Sequence, residues 1–181
     1  MKEIKNVCVY CASSSRIASC YVEAADKVGR ILGQNHLCVI TGGGTHGLMR
    51  TVEDAALEAG GDVLGIIPRF MVDAHWEHSG IRLVQVESMS DRKDMLNKMA
   101  DAIVVLPGGY GTLDELGESL TLKQLGIIDV PIILLNTNNF YDSLIKQMQV
   151  ALEQHFMRDN NKQLFVVAKT PEEINEHLNR R

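Results

Sequence analysis

The stretch 104-VVLPGGYGTLDE-115 decides how the chain folds. Val104–Leu106 is a short apolar run of the kind that forms a strand buried on both faces. Pro107-Gly108-Gly109 ends it, and a helical pattern resumes at Leu113, so a strand passes into a helix through a glycine-rich turn. Such a turn offers free backbone N–H groups to an anion. Asp114 and Glu115 nevertheless set negative charge beside it. The ligand has to accommodate both.

The same alternation runs outward in both directions. Strands are expected at Ile4–Tyr10, Leu37–Ile40, Val63–Ile67, Arg82–Val86, Ala102–Leu106, Pro131–Leu135 and Leu164–Val167. Helices are expected at Tyr21–Leu32, Leu48–Glu58, Asp91–Met99, Leu113–Leu125, Tyr141–His155 and Pro171–Leu178. Arg69–Gly80 has no period and carries the only tryptophan, Trp76; it reads as a long loop or an irregular short helix. Short strands alternating with helices imply α/β architecture: a Rossmann-like, doubly wound parallel sheet in one domain spanning residues 1–181.

A net charge of −5 argues against general nucleic-acid binding, which calls for a basic surplus. No apolar stretch approaches the roughly 18 residues of a spanning helix, and no targeting signal is visible, so a cytoplasmic protein without membrane contact is expected. Cys8 and Cys11 have C-x-x-C spacing, but Cys8 lies in an expected strand and no second pair or histidine cluster completes a zinc site. No metal is expected, and the cysteines read as buried or semi-buried free thiols.

Ligands of such sheets bind beyond the carboxyl ends of the strands, here the loops Cys11–Arg16, Gly42–Gly47, Glu87–Lys93 and Pro107–Thr112. Gly42-Gly43-Gly44-Thr45-His46-Gly47 matches G-x-G-x-x-G, yet no acid closes the following strand to hold a dinucleotide ribose. It is either a tight turn or a cradle for phosphate or sugar. In the second glycine loop Gly108, Gly109 and Gly111 permit close backbone approach, and Thr112 adds a hydroxyl and an N–H. Leu113, Leu116 and Leu120 are expected to form the buried stripe of the helix that follows. Asp114 and Glu115 point about 100° apart, so only one can face the ligand, and geometry does not choose between them. Arg92 and Lys93 read either as a solvated helix face or as cations of the site. Met89 and Met95 are core fillers or thioether walls for a flat ring.

Taken together, GGGTHGLM at 42–49, SMSDRKDM at 88–95 and PGGYGTLDE at 107–115 are similar to motifs of one family. The chain resembles the LONELY GUY family of cytokinin riboside 5′-monophosphate phosphoribohydrolases, and P-G-G-x-G-T-x-x-E is met in full. The resemblance implies hydrolysis of the N-glycosidic bond of a purine nucleoside 5′-monophosphate, a cytokinin ribotide or AMP, without a cofactor. It implies catalysis by Arg92 and Glu115, with Asp114 in a supporting role. Substrate contacts are implied at Ser13, Gly43, Gly44, Thr45, Met89, Arg92, Lys93, Gly108, Gly109, Tyr110, Gly111, Thr112, Glu115 and Thr121, and a homodimer is implied. A non-catalytic nucleotide or cofactor carrier on the same fold is the competing reading. Nothing sets up a Schiff-base lysine with a partner for a pyridinium nitrogen, which weighs against pyridoxal-phosphate chemistry. The chain departs from the family pattern at Arg50, often Gly, and at Ser90-Asp91, commonly His-Glu. It also departs at Ala12, usually Gly, and through Met71–Ser79, the segment that in relatives helps shape the base pocket.

Overall fold

Each strand of the chain feeds a helix that packs back onto the sheet. The computed structural model describes residues 3–157 and 164–179. The strands are β1 (Asn6–Tyr10), β2 (Cys38–Thr41), β3 (Asp62–Pro68), β4 (Arg82–Val86), β5 (Ala102–Val105), β6 (Ile132–Leu135) and β7 (Val166–Ala168). The helices are α1 (Ser19–Gln34), α2 (Gly47–Glu58), α3 (Arg69–Asp73), α4 (Met89–Met99), α5 (Tyr110–Gln124), α6 (Asp142–Glu153) and α7 (Pro171–Asn179). The seven strands form one sheet in the order β4-β3-β2-β1-β5-β6-β7, every neighbouring pair parallel.

Successive strand residues point to opposite faces, and both faces are buried. Val7, Val9, Val104 and Ile133 pack with Val28, Leu32, Val52 and Ile174 of α1, α2 and α7. Cys8, Tyr10, Ile103 and Leu134 pack with Leu96 and Leu116 of α4 and α5. This is the expected doubly wound α/β fold. The chain leaves β1 in one direction through β2 to β4, then returns to lay β5 on its other side. The loops after β1 and β5 therefore diverge, and a cleft opens between them at the switch point.

Several boundaries differ from expectation. α5 begins at Tyr110 rather than Leu113, because the extended Gly109 is itself the N-cap. Asp114 and Glu115 consequently lie in the second turn. α4 begins at Met89 rather than Asp91: Ser88 and Asp91 form a capping box, the Asp91 N–H donating to Ser88 Oγ and the Ser88 N–H to Asp91 Oδ2, both at 3.1 Å. The aperiodic segment 69–80 holds the one-turn helix α3, after which residues 76–78 run beside the first glycine loop. The last strand begins at Val166 rather than Leu164.

α1 and α2 approach closely because α1 carries Gly29 and Gly33 at the contact. A Cβ on Gly29 would lie 2.5 Å from the Val52 carbonyl oxygen, and one on Gly33 would lie 2.4 Å from that of Ala56. Backbone atoms have no cheap way to yield. Gly33→Ala is expected to lower stability by about 1–3 kcal/mol through overpacking, despite alanine's better helix propensity. A lower urea midpoint than wild type checks this.

Candidate active site

The four loops named from the sequence meet around a cavity of about 530 Å³ at the switch point. Its floor is a charged pair. On α5 the buried positions are Thr112, Glu115, Leu116 and Ser119, a spacing that puts Glu115 on the inner face directly below Thr112. Leu113, expected in the buried stripe, is instead 38% exposed, because the buried face of α5 runs through Thr112, Glu115, Leu116 and Ser119. From α4, Arg92 reaches the same point. Its Nη1 lies 3.1 Å from Glu115 Oε1, both side chains being only 8% exposed. Its Nε donates to the Ile66 carbonyl oxygen at 3.2 Å. The solvated-face alternative for Arg92 is thereby removed. Gly42 makes room for the guanidinium, since a Cβ there would stand 1.8 Å from Arg92 Nη2.

Burial pushes the Glu115 carboxyl up to about 7, while Arg92 pulls it back and Asp114 adds to the rise. Such a group holds or releases a proton near neutrality, which suits it to orienting and deprotonating a water molecule. Asp114 faces away: it is mostly exposed and pairs with Lys93 Nζ at 3.1 Å, and Lys93 also pairs with Glu118 at 2.6 Å.

Above the pair lies the start of α5. The first-turn N–H groups of Tyr110, Gly111 and Thr112 have no acceptor within the helix, and these residues line the cavity with Gly109. Gly108 has a different duty. A Cβ there would come within 2.0 Å of Thr112 Oγ1, so it seats Thr112 rather than the ligand. The first glycine loop lines the cavity too, and three of its amides are engaged. The Gly43 N–H donates to Thr41 Oγ1 (3.0 Å), that of Gly44 to Met49 Sδ (3.1 Å) and that of Thr45 to the Trp76 carbonyl oxygen (2.9 Å). These bonds hold the loop as a tight turn beside the cavity. The apolar residues Met49, Ile67, Met71, Trp76 and Met89 complete the lining.

Of the residues named from the sequence, the cavity brings together Ser13, Gly44, Thr45, Met89, Arg92, Gly109, Tyr110, Gly111, Thr112 and Glu115. Gly43 does not line it, lying with φ +69° against Gly65 and Leu83. Lys93 turns to the acids of α5, and Thr121 is exposed further along that helix, its hydroxyl donating to the Gly117 carbonyl oxygen at 2.8 Å. Cys8 and Cys11 belong to the cores on opposite faces of the sheet, so they share no ion, and burial raises both thiols. Cys20 is exposed, unlike the buried or semi-buried thiol expected.

Sequence reasoning missed Glu53. This acid is fully buried on α2, accepts a hydrogen bond from the Thr41 hydroxyl, and its Oε2 has no partner among the described residues. Its place in the run Leu48, Met49, Val52, Glu53, Ala56 on the inner face was the available signal. Burial pushes its carboxyl from 4.5 to about 8, with Thr41 opposing the rise.

Residues 49–178 match the family model described as "Possible lysine decarboxylase". Two cytokinin riboside 5′-monophosphate phosphoribohydrolases are similar over nearly the whole chain. That of Arabidopsis thaliana is 40% identical over 176 residues, spanning 96% of this chain and 77% of its own. One from Oryza sativa subsp. japonica is 34% identical over 171 residues, spanning 94% and 71%. The chain belongs to the LONELY GUY family of cytokinin riboside 5′-monophosphate phosphoribohydrolases. The molybdenum cofactor carrier protein of Chlamydomonas reinhardtii shares the fold, with a TM-score of 0.74 at 18% identity over 97% of this chain and 96% of its own.

The raised Glu53 carboxyl has a calculable effect on stability. The folded state holds its proton more tightly than the unfolded chain, so Glu53 removes stability as pH rises from about 4.5 to about 8, and the loss persists above that. Glu53→Gln keeps an acceptor for Thr41 without the ionisation. Its Tm should exceed wild type's at about pH 9 and show no such gain at about pH 5. Thermal unfolding at both pH values checks this.

Proposed function

We propose that the protein hydrolyses the N-glycosidic bond of cytokinin riboside 5′-monophosphates and AMP, releasing the free base and ribose 5-phosphate. The observation that carries this reading is the set of groups gathered in one cleft. The N-terminal turn of α5, a buried Arg92–Glu115 pair reached one helical turn further along it, and thioether and tryptophan residues all line it. A nucleotide brings a phosphate, a ribose and a flat base to match these three kinds of group.

The phosphate is held by the first turn of α5, Gly109 to Thr112, where the helix dipole and unpaired amides favour an anion. Remote binding there positions the reacting carbon. As the bond from C1′ to the base nitrogen breaks, its electron pair leaves with the base and positive charge grows on the sugar. The Glu115 carboxylate stabilises that charge, orients a water molecule toward C1′ and takes its proton. Arg92 favours the ionised form of Glu115 and offsets the charge gathering on the base; the base takes a proton from solvent as it leaves, and Glu115 returns to solvent the one it took from water. Met89 belongs to the wall for the base, and Ser13 and Thr45 contribute to the remaining walls.

The same reading takes the protein to be a cytoplasmic homodimer. In support, Leu125, Ile127 and Phe156 are 66%, 65% and 85% exposed, and no helix among the described residues is long and apolar enough to cross a membrane. Light scattering on the purified protein is expected to give twice the chain mass.

Incubation with AMP and N6-isopentenyl-AMP, followed by quantification of free base, is expected to show turnover of both. Binding without base release from any purine nucleotide would favour a carrier instead. Glu115→Gln should lose about a thousandfold or more in turnover, yet bind nucleotide within about tenfold of wild type. Arg92→Ala should lose turnover and also about 3–5 kcal/mol of stability, because it leaves a buried carboxylate without its partner. Single-turnover kinetics and urea unfolding measure the two effects.

A further inference from the structure

Residues 76–78 form a strap laid antiparallel across the first glycine loop. The Thr45 N–H donates to the Trp76 carbonyl oxygen and the His78 N–H to that of Gly43, both at 2.9 Å, with Gly44 and Glu77 bridged between them. Beside these backbone bonds the strap has one buried side-chain anchor. His78 is 3% exposed, and both ring nitrogens are bonded. Nδ1 lies 2.9 Å from the Gly80 N–H and therefore accepts, so Nε2 carries the proton and donates to Asp54 Oδ1 at 2.8 Å. Asp54, on α2, accepts at its other oxygen from Arg50 Nε at 2.9 Å, and Arg50 Nη1 donates to Thr45 Oγ1 at 2.8 Å. The chain of bonds returns to the loop where it began. Its Arg50–Asp54 portion is solvent-exposed and adds little, which leaves the buried His78 bond as the link that matters.

The strap carries Trp76 to the lining of the cavity, half-exposed, near Met71 and Met49. We propose that His78, through its bond to Asp54, is the positioning residue that holds Trp76 as the wall for the base and so sets affinity for nucleotides with an apolar base substituent. This rests on the hydrolase reading of the same cavity. Among the described residues no hydrogen bond or ion pair joins the strap to Arg92 or Glu115, so its loosening weakens binding of ground state and transition state alike and leaves the chemical step in place.

Trp76 is the only tryptophan, so its fluorescence reports the strap directly in unliganded protein. The side chains separate the two imidazole bonds: Asn reproduces Nδ1 toward Gly80, and Gln reproduces Nε2 toward Asp54. His78→Asn and Asp54→Ala are expected to make Trp76 more quenchable by acrylamide. Both should raise KM for N6-isopentenyl-AMP about tenfold with kcat within about twofold. His78→Gln should restore both properties, and competitive inhibition by ribose 5-phosphate, which lacks a base, should stay unchanged throughout. Unchanged quenching or KM in the first two variants, rescue by Asn rather than Gln, or equal weakening of ribose 5-phosphate would overturn the proposal. Should wild type release no base from any nucleotide, the hydrolase reading fails, while quenching still decides whether the His78–Asp54 bond fixes the wall. Asp54, at the exposed end of that bond, keeps the test available if the His78 variants fail to fold.

Discussion

The interaction on which the cleft depends is the ion pair between Arg92 and Glu115. Two charged side chains removed from water are costly unless each has a partner and further hydrogen bonds. The surrounding fold meets that demand from three strand ends. The carbonyl of Ile66, on β3, accepts from Arg92; Gly42, just after β2, leaves space for its guanidinium; and the β5–α5 turn starts a helix early enough to bring Glu115 inward. The capping box at Ser88–Asp91 fixes where α4 begins and hence where Arg92 projects. Sheet topology supplies the opening, because only between β1 and β5 do successive loops part.

From that pair the site acquires a direction. Burial raises the Glu115 carboxyl, Arg92 limits the rise, and the group stands poised at the pH where proton transfer to and from water is easiest. The first-turn amides of α5 and the apolar residues Met71, Met89 and Trp76 line the same cavity. The conflict posed by VVLPGGYGTLDE, an anion-holding turn beside two acids, disappears in three dimensions. Glu115 sits one helical turn below the amides of Thr112, and Asp114 turns outward to Lys93.

The fold was legible because its signals are local and repeated. Short apolar runs such as Val104–Leu106 have no stable alternative to a doubly buried strand, and their alternation with helices leaves a parallel sheet as the economical arrangement. Helix starts were less legible. Gly109 as an N-cap and Ser88–Asp91 as a capping box both depend on backbone geometry that periodicity does not report. That residues of the glycine motifs would line a cleft was legible, but their division of labour was not, since whether an amide faces the cleft or a neighbouring loop depends on what crosses it. The strap across Gly43–Thr45 comes from an aperiodic segment, and His78 carries no motif there. Glu53 escaped notice because an acid on an apolar helix face reads as surface until its depth is known.

The most direct test of the account is an infrared pH titration of wild type minus Glu115→Gln, which isolates this one carboxyl group. A band converting from acid to carboxylate near pH 7 is expected, with the acid limb of kcat/KM following the same midpoint. Conversion near the ordinary value of 4.5 would contradict the account, for Glu115 would then be a solvated acid rather than the buried centre of the site.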